Sequence, residues 1–415
     1  MLATAVQPRR LTINCYRYVV DVDTSTTPHT VSIALRGNVV GTFTVGEGVT
    51  SYAQQMTRVG GFDSMRFSLS TKRQLTAEEW LRELPGCFVE VTDQGGIVAW
   101  AGFVNSVGVT FDDLKVKVGP MTDVGNRTQL AYSQLQDVSI NTPNEGYRVV
   151  TPWAENEVSQ RRYGLQIKQL STGGVTETLA DVIVNSWLDA NRWPRVTQDF
   201  AFQPGTQAVY PVSVECLGFW HAMQYPYTYV DTTWSSAGGL LRNIDVDAKI
   251  ARVLAADPNG ILSTADDSLA SNTLQVPEWE QDDKSAQSHI TALVSYGDAA
   301  YNVYSFGIYE DQRAIYAICD PDDPLHIAVH SSKRGVAVVR DRGGNELYPW
   351  MVRPGNFVRY TDLFSDYVSA EGLPFDITVQ LIETATFTWP NALSLNGGQS
   401  DRPRQILAKY GMRGA

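Results

Sequence analysis

Alternating apolar and polar residues dominate the first third of the chain and predict β-strands. Residues 31–35 and 39–45 are two such runs, and the Arg36-Gly37-Asn38 sequence between them predicts a hairpin. Four later runs show the same alternation, at residues 65–69, 87–91, 97–109 and 114–118. Short strands at this spacing favour a small β-barrel or sandwich.

Helical periodicity appears at several places between and after these strands. Within residues 75–84, Thr76 is followed three residues later by Glu79, a capping-box pattern that predicts a helix start. Thr176 predicts the start of another helix. The apolar positions after Thr176 share one face and predict the buried side of that helix: Leu179, Val182, Ile183, Trp187 and Ala190.

The remaining elements follow from the same two periodicities. Asp282-Asp283 predict the cap and first turn of a helix that Gly297 ends. Further helices are predicted at residues 154–163, 240–256 and 404–410, and a turn at 171–174. Further strands are predicted at residues 163–170, 209–217, 301–309, 313–318, 336–340, 357–360 and 377–387.

The order of these elements predicts a mainly β protein with an α+β insertion. We expect two tube-like β-barrel or sandwich domains and a smaller domain of helices plus a hairpin. The second sheet would begin near Tyr163 and Val209, and the late strands would complete it. The predicted divisions are an N-terminal β-barrel-like domain at residues 1–140, an α/β segment at 141–235, inserted helices and a hairpin at 236–330, completing strands at 331–398 and a C-terminal tail at 399–415.

Charge and composition narrow the possible functions. The 415 residues carry a net charge of −12, which disfavours tight binding of nucleic-acid phosphates. Hydrophobic residues make up 43% and charged residues 19%, which is ordinary for a globular protein and excludes general disorder. No stretch reaches the roughly 20 apolar residues of a membrane helix. The first ten residues lack the apolar run of a signal peptide. We therefore expect no membrane span and no secretion.

The four cysteines are widely spaced along the chain and form no CxxC pair: Cys15, Cys87, Cys216 and Cys319. Cys87 and Cys216 adjoin strand-like runs and are predicted to be small buried hydrophobic side chains. A disulfide framework is not expected at this density. Folding in a reducing compartment is the better prediction.

Candidate metal ligands do not form a recognised pattern. His326 and His330 are four residues apart, but the sequence around them alternates like a strand, in which they would stand more than about 12 Å apart. The acidic groups Asp266-Asp267, Asp282-Asp283 and Asp320-Pro321-Asp322-Asp323 lack the spacing of an EF-hand. We expect no metal site, with calcium at the Asp320 loop as the remaining alternative.

No catalytic motif is visible. There is no GxSxG sequence, and Cys216 has only His221 nearby along the chain. Gly46-Glu47-Gly48 and Gly60-Gly61 do not continue into a phosphate-binding fingerprint. One alternative of another class is a carbohydrate-binding or carbohydrate-active β protein, in which two carboxylates meet in a cleft. The tryptophans that could stack on a sugar there are Trp220, Trp234 and Trp279.

Several segments resemble tail proteins of siphophages and prophages. Residues 98–104 (VAWAGFV) have the W-x-G-x-V form of a strand in those proteins, and residues 123–127 (DVGNR) have their D-x-x-N-R turn. Further segments resemble the same proteins in the same order along the chain: 159–164 (SQRRYG), 214–218 (VECLG), 290–316, 348–355 (YPWMVRPG) and 387–398. The resemblance spans most of the chain.

The resemblance implies a structural subunit of a bacteriophage tail tip. Such subunits form the hub or ring that closes the tail tube and joins it to tip or fibre proteins, with two tube-like barrels in each copy. A homotrimer with pseudo-sixfold symmetry is implied, with a hexamer as the alternative, and a ring-forming distal tail protein is a close variant.

The resemblance also implies partners and a location. The implied partners are further copies of the chain and the tail tube, tape-measure and tip or fibre proteins. The implied location is the virion tail, assembled in the host cytoplasm, where DNA would pass through the lumen without sequence-specific binding. No enzymatic activity, catalytic residue, cofactor or metal comes with the resemblance.

Overall fold

The computed structural model of the chain describes residues 10–134, 148–200, 209–227, 243–263, 268–277, 284–322, 325–329, 337–341, 343–361, 379–390 and 392–397. Strands predominate over helices in these ranges, which confirms the predicted mainly β class. The strands are β1 (Leu11–Tyr16), β2 (Val19–Asp23), β3 (Thr30–Ala34), β4 (Val39–Thr44), β5 (Val49–Thr57), β6 (Val59–Thr71), β7 (Phe88–Asp93), β8 (Val98–Phe111), β9 (Leu114–Val118), β10 (Arg127–Gln134), β11 (Arg148–Val150), β12 (Ala154–Glu155), β13 (Ile167–Val175), β14 (Val196–Phe200), β15 (Tyr210–Leu217), β16 (Asn243–Asp245), β17 (Gln275–Pro277), β18 (Tyr304–Ile308), β19 (Ala314–Ile318), β20 (Leu325–Val329), β21 (Ala337–Arg340), β22 (Glu346–Leu347), β23 (Phe357–Thr361), β24 (Val379–Thr388) and β25 (Ala392–Gly397). The helices are α1 (Gln74–Glu83), α2 (Glu157–Tyr163), α3 (Glu177–Asn191), α4 (Val246–Ala255) and α5 (Ala286–Tyr296).

One long run of paired strands, the main sheet, organises the described part of the chain. Its order is β4-β1-β7-β8-β15-β6-β5-β24-β25. On one edge β8 pairs with β7 along its first half and with β9 along its second half. β15 pairs with the opposite edge of strand β8. This follows because Val107 of β8 stands opposite both Val118 of β9 and Val214 of β15. The described strands do not close into a barrel.

The alternation in the sequence explains how this sheet builds a core. In β1, Leu11, Ile13 and Cys15 are buried, and the residues between them are half-buried. Ile13 stands opposite Phe43 of β4 and Val91 of β7, and all of these side chains belong to one hydrophobic cluster. Burying every second residue gives β1 a single apolar face, which is what the two-residue period predicts.

The predicted hairpin at residues 31–45 is wrong, although both of its strands exist. β3 pairs with β2, and β4 pairs with β1. The Gly37 segment instead crosses beside Arg17, since Gly37 N donates to the Arg17 carbonyl oxygen and Arg17 N donates to the Asn38 carbonyl oxygen. The sequence did not predict β1 and β2. These two earlier strands pair with β4 and β3, so β3 and β4 do not pair with each other.

Of the two strands predicted to begin a second sheet, β15 lies in the main sheet. It is inserted between β6 and β8, and its alternate residues Val212, Val214 and Cys216 are buried in the main core. Both neighbours of β15 therefore come from the N-terminal part of the chain. The division of the chain into domains stays a prediction, but this strand does not begin a separate sheet.

The end of the chain also returns to its beginning. The predicted late strand is present as β24, which pairs with β5 and β25. Beside this pairing, Arg58 N donates to the Glu383 carbonyl oxygen at 2.8 Å, and Arg58 Nε donates to Glu383 Oε2 at 2.7 Å. The first and last parts of the described chain are thus hydrogen-bonded to each other.

The predicted hairpin of β18 and β19 is confirmed, and glycines attach it to the main sheet. β18 pairs in parallel with the start of β6, with Gly307 opposite Gly60 and Ile308 opposite Gly61. A Cβ at Gly61 would stand 2.5 Å from Ile308 N, and Gly61 has a φ of +75°, so glycine is required there. Helices α4 and α5 pack on the same core.

A smaller sheet carries α3. In it, β10 pairs antiparallel with β11 and β12 and parallel with β13. Thr176 caps α3 as predicted, accepting from Leu179 N. The predicted buried face is wrong, because Ala180, Val184 and Leu188 are buried and Leu179, Val182 and Ala190 are exposed. The small Ala180 side chain lets the helix approach β10, so a second stripe at a spacing of four residues forms the contact.

Several helix ends differ from the prediction. α1 begins at Gln74 after Arg73, so Thr76 lies inside it and does not cap it. Gly297 ends α5 as predicted, but Ser285 caps its start by accepting from Ser288 N. The predicted turn at 171–174 lies within β13. Asp282-Asp283, the predicted helix at 404–410 and the tail at 399–415 lie outside the described residues.

Candidate functional site

The W-x-G-x-V segment lies in β8 at the centre of the main core. Trp100 is fully buried, and its ring centroid lies 6.2 Å from that of Phe62. Gly102 lies against Leu217, whose carbonyl oxygen would be 2.2 Å from a Cβ at position 102. Since Leu217 belongs to the 214–218 segment, two of the segments that resemble tail proteins meet here. Glycine lets β8 and β15 pack this closely.

A second junction joins the Asn126-Arg127 turn to the 159–164 segment. Asn126 is fully buried, donates from Nδ2 to the Gly164 carbonyl oxygen at 2.7 Å and accepts at Oδ1 from Gln166 N at 2.8 Å. These side-chain-to-backbone bonds satisfy the polar atoms that the turn buries. The turn and the end of α2 are therefore fixed to each other.

Arg127 and Glu155 form a buried ion pair inside this junction. Arg127 Nε donates to Glu155 Oε1 at 2.6 Å, and each side chain is 7% exposed. Glu155 Oε2 also accepts from His29 N at 3.0 Å, and Glu155 Oε1 accepts from Gln160 Nε2 at 3.1 Å. Arg127 donates in addition to the His29 carbonyl oxygen. A buried pair with this many partners fixes geometry and presents no charge to solvent.

A third junction ties the β18–β19 hairpin to the 348–355 segment. Arg353 donates to both carboxylate oxygens of Glu310, at 2.8 and 2.6 Å, and its guanidinium carbon lies 4.4 Å from the ring centroid of Tyr309. Burial raises the pKa of Glu310, but the hydrogen bonds and charge of Arg353 outweigh it and hold that pKa below its ordinary value. Burial raises the pKa of Tyr309 to about 12.

The same segment also contacts the closing strands through aromatic rings. Trp350 stacks on Tyr348 with a centroid distance of 4.7 Å and meets Phe387 edge-on at 5.6 Å. Phe387 begins the 387–398 segment, which also resembles tail proteins. The segments that carry the resemblance therefore contact one another in pairs, and their side chains build the framework.

The His and Asp groups weighed as candidate metal ligands are not brought together in the described part of the chain. Asp320 Oδ1 accepts from Asp322 N at 2.9 Å, which closes a turn. His326 lies in β20, as the alternation predicts, with its backbone opposite Arg340. His330, Asp323, Asp266-Asp267 and Asp282-Asp283 lie outside the described residues. Among the residues that are described, no three His, Cys, Asp or Glu side chains converge on a metal position.

The cysteines are buried side chains. All four thiols lie inside the fold, as predicted for Cys87 and Cys216. Burial raises the pKa of the Cys216 thiol well above its ordinary value, so it stays protonated and unreactive. His221 bonds elsewhere, through Nε2 to Asp63 Oδ1 at 2.9 Å.

Trp220 and the glycine pairs weighed as phosphate loops have structural roles. Trp220 is 6% exposed and packs against Phe306 at 5.7 Å between ring centroids, so it offers no open ring face for a sugar. Trp234 and Trp279 lie outside the described residues. Gly46-Glu47-Gly48 forms the turn between β4 and β5.

A cleft lies where the β13, β8 and helical segments meet, and its lining includes Phe103, Tyr163, Lys168 and His221. Lys168 Nζ donates to the Thr122 carbonyl oxygen at 2.7 Å. Burial lowers the pKa of Lys168. The bonds of Lys168 and His221 to neighbouring protein groups indicate a seam between packed segments.

The exposed edge strand β14 is the most distinctive surface feature. All five of its residues are exposed. It pairs with β9, with Val196 opposite Val118 and Phe200 opposite Leu114, and no other described strand is paired with it. Among the described strands, its outer edge is therefore left with backbone N–H and C=O groups, the kind of edge to which a further strand can add.

The apolar side of β14 continues a row of side chains across one end of the sheet, here called the terminal row: Tyr210, Phe111, Leu114 and Phe200. The Phe111 and Tyr210 ring centroids are 5.8 Å apart, and Leu114 stands opposite both Phe111 and Phe200. The first three side chains are half-buried, whereas Phe200 is 69% exposed. The core-facing side of the sheet thus extends beyond the core into solvent.

A second exposed apolar surface lies on α3. Leu179 and Val182 are 48% and 55% exposed, although a helix that packs on a sheet ordinarily buries such residues. The helix carries Glu177, Asp181 and Asp189, with no Lys or Arg between residues 177 and 191. Leu179 and Val182 leave an exposed apolar arc on α3.

Sequence reasoning missed β14 and its exposure. The run Val196-Thr197-Gln198-Asp199-Phe200 does alternate, but it holds only two strongly apolar residues and follows directly on Trp193-Pro194. Alternation was the available signal, and five residues are too few for it to stand out.

Comparison with known proteins gives a limited result. No family model and no curated protein matches the chain. A tail protein from Neisseria meningitidis MC58 is 8% identical, aligned over 94% of this chain and 99% of its own, with a TM-score of 0.40. The 43 kDa tail protein of prophage MuSo2 from Shewanella oneidensis is 8% identical over 93% of this chain and 98% of its own, with a TM-score of 0.37. Scores of this size establish neither a family nor a function.

The helices offer no candidate for membrane insertion. Within the described residues, none combines the length and the apolar character needed to cross a bilayer.

Proposed function

We propose that the chain is a structural subunit of a bacteriophage tail tip, forming the hub or ring that closes the tail tube and joins it to tip or fibre proteins. The observation that carries this proposal is the meeting of the tail-like segments in space. Residues 98–104 contact 214–218, residues 123–127 contact 159–164, and residues 348–355 contact both the β18–β19 hairpin and Phe387. Segments that resemble one class of protein and also pack together support one shared architecture.

The surface supports an assembly role as well. Lone exposed hydrophobic residues are normal, but an unpaired edge strand with an apolar face is usually covered in a soluble protein. β14 has both properties, with Phe200 at its end. Neighbouring subunits of a tail would supply the cover.

The proposed assembly is a homotrimer, with a hexamer as the alternative, in contact with the tail tube, tape-measure and tip or fibre proteins. A ring-forming distal tail protein is a variant of the same proposal, and counting subunits per ring separates the two. The net charge of −12 suits a lumen through which DNA passes without adhering.

The experiment is to locate the chain in particles. Antibodies against the purified chain, or a short epitope tag on it, should place gold particles at the distal end of the tail. Particles made without the chain should lack a complete tip. Label on the capsid, or intact tips in its absence, would refute the proposal. Turnover of a glycan by the purified chain would favour the carbohydrate-active alternative instead.

A further inference from the structure

We draw no further inference here: the strongest candidate, the pair of exposed apolar surfaces formed by the terminal row at the end of the main sheet and by Leu179 and Val182 on α3, carries none, because nothing in the described part of the chain shows what covers either surface.

Discussion

Arg127 and Glu155 lie 28 positions apart in the sequence, yet Arg127 Nε and Glu155 Oε1 stand 2.6 Å apart. The pair is buried, and Glu155 also accepts from His29 N, in the connection between β2 and β3. One carboxylate thus connects three separate parts of the chain. The Asn126-Arg127 turn, which resembles tail proteins, owes its place in the fold to this contact.

Glu155→Leu should destabilise the protein strongly. It leaves the Arg127 charge buried without its partner, at a cost of about 3–5 kcal/mol in the free energy of unfolding. Arg127→Met combined with Glu155→Leu should cost less than the two single changes added together. Urea unfolding of each variant measures this.

The matched control for that pair is Glu157→Gln. It removes the charge from the solvent-exposed Arg161–Glu157 pair at 2.7 Å, which should cost less than about 1 kcal/mol. Equal losses for Glu155→Leu and Glu157→Gln would show that the buried pair has no special role.

Gly102→Ala should destabilise the junction of β8 and β15. The added Cβ would lie 2.2 Å from the Leu217 carbonyl oxygen, so the backbone must shift. We expect a loss of about 1–3 kcal/mol, as for overpacking in a core. Gly173→Ala, where a Cβ would meet no atom within 4 Å, should have little effect. A thermal midpoint unchanged in both variants would contradict this account of Gly102.

Gln312→Gly should stabilise the β18–β19 hairpin. Gln312 has a φ of +55° and follows Asp311 at +54°, a conformation that glycine adopts without strain. Relief of that strain should add about 0.5–1 kcal/mol to the free energy of unfolding. Gln312→Ala keeps the Cβ and should not stabilise. A lower thermal midpoint for the glycine variant than for the alanine variant would refute the prediction.

Stability should fall on acidification partly through Glu310. Its pKa is held below the ordinary value in the folded state, so the unfolded state binds the proton first as the pH falls. The contribution is fully present above the ordinary glutamate pKa of about 4.3 and is lost as the pH falls through the lower folded-state value. Glu310→Gln should flatten this part of the stability curve between pH 5 and about pH 3. An unchanged slope in that variant would exclude Glu310 as a cause.

The sequence predicted where the strands and helices lie better than it predicted which strands pair with each other. Alternation located β6 to β9, β18, β19 and β24, because successive side chains of a strand point to opposite faces of the sheet. It could not show that β3 pairs with β2, or that β15 enters between β6 and β8, since pairing depends on which edges are free in three dimensions. The prediction of the buried face of α3 was wrong for a related reason. Two apolar stripes compete on that helix, and Ala180, which looks unremarkable in sequence, allows the closer contact.

The junctions between the segments that resemble tail proteins were visible in the sequence only as separate motifs. Nothing in the spacing of Asn126, Arg127 and Glu155 shows that they share one buried cluster, because their contacts are made by folding. The exposed edge at β14 gave almost no sequence signal. Its exposure was seen only once the pairing of β14 with β9 and the burial of its five residues were known.

Electron microscopy of the purified full-length chain tests the central claim most directly. Class averages should show rings around a central channel, built from three copies with six similar lobes or from six copies. A solution containing only compact single molecules over the whole concentration range, in a chain that is also absent from tail tips, would contradict the account.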